Sequence, residues 1–440
     1  MTIKEAIWFL SAPETSALRR RGDPLGLRNV TDEVAELLAP GLTNRTRDAR
    51  WLTLLSWSLV ESDLAWHKAG SGNLNTSEHR RERYRWLRPL ELLWVARSIQ
   101  LGGKGYRASH WPGYRSLKRW DKNSARFAMT ATQLTNYRQS GAYGAYRTLF
   151  RQNGLTGSND GWTPANSTYG LAEFVARELK REGAAPTWRN KPRLNDPAQW
   201  WIVTGWPQWQ TAGQPNSLML SGLTPTRLHQ DEINVLAPLL FPSDSPRLRT
   251  AQAIGKNCNS RDYVALCRSL AKALPRSGGD PSLSRLGDLA ALNGAGITLL
   301  RSIAQCATTG SRSIAALPRD PHVIDALEAF SDCAAVWRKT AHDAPPFTHQ
   351  DEADRLAQIP TRGKLASLTR FIAHHEQRGS GARWFGLVGD EIILIGAESG
   401  VESGSFGYRL HAVARLAVQC GVLAVLPRAL GGYMLNEDDT

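Results

Sequence analysis

The chain has 440 residues, 42% of them hydrophobic, enough for two to four packed units with cores of their own. Its formal net charge of +14 points to a polyanionic partner. Nucleic acid fits better than a membrane, because no apolar run approaches the roughly 18 residues of a spanning helix and no basic amphipathic helix adjoins a lipid-anchoring signal.

The opening MTIKEAIWFLSAPE lacks the basic head and long apolar centre of a secretory leader. Five scattered cysteines form no Cys-x-x-Cys pair, which argues against a zinc ribbon or a disulfide framework. A cytoplasmic setting is expected, with no metal and no cofactor. The 16 Trp are expected mostly in cores, with a minority free to stack on bases.

In chain order, Trp51, Leu54, Leu55, Trp57 and Leu59 recur near helical spacing, with Thr43 or Asn44 as N-cap. A second long helical pattern over 77–103 is interrupted by Pro89, which removes an interior donor, and ends at Gly102-Gly103. Residues 127–182 read as helix, helix, a Gly154 stop, a turn-rich wing and a further helix, which is a candidate winged-helix unit. A Pro-rich linker is expected over 183–197. Ala/Leu-rich helical pieces over 250–345 are broken by RSGGDPS and NGAG. Two strand-like runs around Gly389-Asp390 predict a β-hairpin, and GYRLHAVARLAVQCGV a closing helix. The expected fold class is therefore mainly α and multi-domain, with a small α+β C-terminal part. Its expected units are 1–126, 127–182, 198–345 and 346–440.

Charge is concentrated. Residues 80–151 hold 16 Arg and Lys against Glu82, Glu91 and Asp121, nearly the whole excess of the chain. That is the footprint of a phosphate-binding face. On a helix, Arg81, Arg85 and Arg88 share one side, where like charges repel by a few tenths of a kcal/mol per pair. An anionic partner would offset that repulsion. Further along, Lys104, Arg107, Arg115, Lys118, Arg119, Lys122 and Arg126 are interleaved with Tyr106, Trp111, Tyr114 and Trp120. Arg forks can clamp phosphates, and aromatic faces can stack on unpaired bases. Trp111, Tyr114 and Trp120 are the candidate base contacts. Arg19, Arg20 and Arg21 form a smaller cluster. Arg45, Arg47 and Arg50 stand at a helix start, where the dipole disfavours cations, as a solvated face or a further phosphate contact.

Catalytic patterns are sparse. AQAIGKN and TRGKLAS lack the rest of a phosphate loop, and NGAGIT lacks the third Gly of a dinucleotide fold. No Gly-x-Ser-x-Gly elbow or His-Glu-x-x-His is present. Asp390, Glu391 and Glu398 lack the Lys of a metal nuclease. His342, Asp343, His349 and Asp351 read as a loop and helix cap. Arg370 and His375 stand at the Arg-x4-His spacing of metal-independent HEPN ribonucleases, where Arg stabilises the phosphorane and His moves a proton. Their alternative reading is a helix end meeting its dipole.

Leu37, Leu38, Pro40, Gly41, Thr43, Arg47, Ala49, Arg50, Trp51 and Trp57, followed by Arg88, Glu91 and Leu92, resemble the N-terminal pattern of a family of uncharacterised prokaryotic proteins. Trp51 stands where that family usually has Tyr. The resemblance implies a phage-defence setting beside helicases and nucleases, and brings no catalytic residues. The expected function is a non-catalytic nucleic-acid-binding subunit of a prokaryotic antiviral assembly, with DNA or RNA and subunits such as a helicase or nuclease as partners. The alternatives are a HEPN-like ribonuclease using Arg370 and His375, or a scaffold whose basic face meets an acidic protein.

Overall fold

The computed structural model describes residues 23–43, 45–69, 83, 86–88, 90–91, 94, 141–157, 162–181, 228–309, 313–340, 344–378, 383–395 and 405–431. In chain order the helices are α1 (Arg28–Leu38), α2 (Arg50–Lys68), α3 (Ala142–Gln152), α4 (Asn166–Arg181), α5 (Gln230–Leu240) and α6 (Pro246–Lys256). Then come α7 (Tyr263–Arg276), α8 (Leu286–Thr309), α9 (Pro321–Thr340), α10 (Gln350–Ala357), α11 (Lys364–Glu376) and α12 (Ser405–Gln419). Strands β1 (Phe385–Val388) and β2 (Glu391–Leu394) lie between α11 and α12. The fold is mainly α with one small antiparallel hairpin, as the periodicity predicts. Among the described residues no helix is long and apolar enough to cross a membrane.

The chain divides into two compact units, each made of separate stretches. The first holds residues 1–39, 249–411 and 425–440; the second holds 40–248 and 412–424. The expected boundary at 345/346 does not separate cores. Trp337 Nε1 on α9 donates to Asp354 Oδ1 on α10 at 2.8 Å, and Phe330 meets Phe371 of α11 edge-on at 5.1 Å.

In the first unit, α8 packs on α7 and α9. NGAG does not break it. Asn293–Gly296 lie inside α8, and a Cβ on Gly296 would stand 2.9 Å from Leu25 Cδ1, so the missing side chain is what admits that leucine. RSGGDPS does end a helix: Gly278 takes φ +81°, and Asp280 caps the 3-10 turn Pro281–Arg285. The α1 helix is tied to α10 through Glu352, whose carboxylate accepts from Asn29 Nδ2 at 2.7 Å and from the Val30 amide at 3.0 Å. In the hairpin Val388 pairs with Glu391 across Gly389-Asp390, and Gly389 takes the positive φ of 63° that a primed turn needs. Phe385 and Ile392 face inward, while Val388 is 66% exposed.

In the second unit, α2 is the central element: 16 of its 19 residues are buried, so it is wrapped rather than amphipathic. The α4 helix lies along it, with α3 and α5 beside it. Trp57 meets Trp94 edge-on at 5.7 Å, and Tyr143 packs on Trp162 at 4.8 Å. Residues 86–88 and 90–91 are helical on both sides of position 89. Of the candidate winged-helix unit, α3, the Gly154 stop (φ +62°) and α4 are present. Between them the described residues hold one isolated antiparallel bridge, Thr156 with Pro164, and residues 158–161 of the expected wing lie outside the described residues. The expected first helix of that unit, over 127–140, lies outside the described residues.

Candidate nucleic-acid interface

Most of the expected phosphate-binding residues lie outside the described residues: Arg81, Arg85, Lys104, Arg107, Trp111, Tyr114, Arg115, Lys118, Arg119, Trp120, Lys122 and Arg126. Arg88 is described, and it is buried at 5% exposure rather than on an open face. Its guanidinium lies near the buried Glu91 and favours that carboxylate's charged form. The same stretch contains Arg83, fully buried, which ion-pairs with Asp63 Oδ1 at 3.2 Å and donates to Ser62 Oγ and the Leu59 carbonyl. Among the described cations of the stretch, Arg83 and Arg88 therefore serve the interior. Arg147 lies over the Trp162 ring at 5.4 Å, and Arg151 is exposed.

Glu91 is buried beneath the start of α3, where one carboxylate oxygen accepts from the Tyr143 amide. Among the described residues its other oxygen, Oε2, has no hydrogen-bond partner. Burial pushes its pKa up to about 7, against the pull of that amide and of Arg88. Of the described Trp side chains, Trp51, Trp57, Trp66, Trp86, Trp94, Trp162 and Trp337 are buried and Trp384 is half-buried.

Within the segment that carries the resemblance, residues 46–57 are core as well. Arg50 is neither solvated nor free for phosphate. Its Nη2 lies 3.1 Å from Glu232 Oε2 on α5, and Thr53 Oγ1 donates to Glu232 Oε1 at 2.7 Å. Arg47 is also buried. Asp48 accepts from Arg415 at 2.8 Å, while Gln419 accepts from the Ala49 amide at 2.7 Å. The helix starts later than expected because Thr43 is not its cap. Thr43 and Thr46 close their own turn, with the Thr46 hydroxyl donating to the Thr43 carbonyl at 2.7 Å. The caps come from distant side chains: Tyr146 Oη accepts from the Asp48 amide at 3.0 Å, and Gln419 from Ala49. Glu232 is the residue that local pattern cannot find, since it lies 182 positions from Arg50.

On α11, Arg370 is exposed and His375 is buried. Five residues along an α-helix turn a side chain by about 140°, so the two face different ways. The Trp384 amide donates to His375 Nε2 at 2.9 Å, which leaves Nδ1–H to donate to the Pro24 carbonyl, also 2.9 Å away. Both ring nitrogens are thus held by backbone. Burial lowers the pKa to about 4, so the ring is neutral near pH 7. His374 donates likewise to the Leu25 carbonyl at 2.8 Å. The two histidines anchor residues 24–25. Among the described residues no group of His, Cys, Asp and Glu could hold a metal ion.

A further exposed basic element lies on α7, where no motif in the sequence signals it. From Tyr263 to Arg276, α7 contains no acid, and its exposed Arg268, Lys272 and Arg276 recur every four residues. Against protein-family models, curated proteins and solved structures, the chain shows no match.

Proposed function

We propose that the chain is a non-catalytic nucleic-acid-binding protein that holds phosphates through residues 80–151. The observation that carries this reading is local charge. With Arg83 and Arg88 set aside as interior, fourteen cations remain in the stretch, with Glu82 and Asp121 as its acids besides the buried Glu91. Such a density attracts a polyanion and gives salt-dependent binding. Binding rather than cleavage is favoured because His375 has both nitrogens engaged and Arg370 faces elsewhere. The antiviral setting, with a helicase or nuclease as companion subunit, is proposed on the N-terminal resemblance alone.

The test is binding of the purified chain to labelled single- and double-stranded DNA and RNA across a salt series, beside R115A/K118A/R119A. Binding that falls with salt, less steeply in the variant, supports the reading and identifies the nucleic-acid class. Absence of binding at low salt refutes it.

A further inference from the structure

Some surface cations of the first unit are paired. Arg28 sits 3.6 Å from Asp32, Arg355 pairs with Asp351, and Lys364 lies 2.8 Å from Glu328. The α7 helix carries no such pair among the described residues. Its Arg268, Lys272 and Arg276 are exposed. The helix offers them no acid of its own, and Asp262 just before it caps its N-terminus through the Ala265 amide at 2.8 Å. Lys256 and Arg261, both exposed, precede it. The 3-10 turn Arg428–Leu430 packs against it and brings the exposed Arg428.

Like charges at i, i+4 and i+8 repel in the free protein, so this stripe weakens the helix that carries it. A four-residue step advances about 6 Å, which sets three cations along a line of about 12 Å. A linear polyanion complements such a line. An acidic protein surface would do so less well, because protein interfaces centre on buried apolar and aromatic anchors. None of the exposed large hydrophobic side chains belongs to α7. We propose that the exposed face of α7 is a second contact for the phosphate backbone of a nucleic acid, read without regard to base sequence. The inference rests on the chain binding nucleic acid, but not on residues 80–151 being where it does so.

Full-length R268Q/K272Q/R276Q is compared with wild type and with R115A/K118A/R119A, using labelled duplex DNA and single-stranded RNA over a salt series. R268K/R276K serves as the charge-retaining control, and circular dichroism checks the fold. The Gln variant is expected to lower the slope of log affinity against log salt by about 2 to 3, near 0.9 per lost duplex contact and 0.7 per single-strand contact. The Lys control should keep the wild-type slope. An unchanged slope in the Gln variant, beside a reduced slope in R115A/K118A/R119A, overturns the α7 contact and leaves the main reading standing. The reverse pattern upholds α7 and removes the assignment to 80–151. No wild-type binding to nucleic acid, with capture of polyglutamate instead, overturns both in favour of an acidic protein partner.

Discussion

Glu232→Ala isolates the interior ion pair at the head of α2. Glu232 is fully buried, and the Arg50 side chain is 4% exposed. The carboxylate receives three guanidinium contacts, at 3.1, 3.3 and 3.4 Å, and the Thr53 hydroxyl. Thr53 also bonds the Arg50 carbonyl at 2.8 Å, so its loss adds little. The cost is dominated by a guanidinium left in the core without its carboxylate, about 3–5 kcal/mol. Replacing both partners by apolar groups, Arg50→Met with Glu232→Leu, should cost far less than either single change, because both charges of the pair are then removed from the core. Urea unfolding followed by Trp fluorescence reports on this unit, where Trp51, Trp57, Trp66, Trp86 and Trp94 are buried. The expected signature is a lower midpoint with an unchanged slope. A loss under about 1 kcal/mol in Glu232→Ala, or a double variant as unstable as the sum of the singles, would refute the argument.

Three further outcomes are expected. His375 has a folded pKa near 4, below its ordinary 6.5, so its contribution is complete above pH 6.5 and is lost as pH falls through 4. His375→Ala should flatten stability between those values, on the order of 3 kcal/mol, while nucleic-acid binding of the folded variant at pH 7.5 stays unchanged. Glu91 is the opposite case: with its pKa raised from 4.5 to about 7, its contribution is complete below pH 4.5 and is lost as pH rises through 7. Glu91→Gln should therefore gain on wild type between pH 5 and 8 in thermal melts, and parallel pH profiles would reject the burial of an ionisable carboxylate. Gly287→Ala places a Cβ 2.9 Å from Arg268 Cα, so α7 and α8 must part, at about 1–3 kcal/mol in chemical denaturation. A neutral result would mean that the two helices are not held together at that point.

The sequence by itself determined the helical class, the hairpin and the location of charge. The hairpin was legible because strand-like runs flank Gly389-Asp390, and a glycine there supplies the positive φ at no steric cost. The α2 helix was legible in the near-helical spacing of Trp51, Leu54, Leu55, Trp57 and Leu59, a short-range property of a 3.6-residue period. Charge density needs no fold to be counted. What sequence could not decide is which cation is surface and which is core. Arg50, Arg83 and Arg88 look like their neighbours in the string, yet the first two are buried against Glu232 and Asp63 and the third lies near Glu91. Burial of an arginine depends on an acid brought to it by packing, and Glu232 arrives from another helix. The same reason turns Arg-x4-His on α11 into an anchor, since the Pro24 carbonyl and Trp384 amide occupy a histidine that spacing alone would leave free. Periodicity names faces; only tertiary contact says what each face meets.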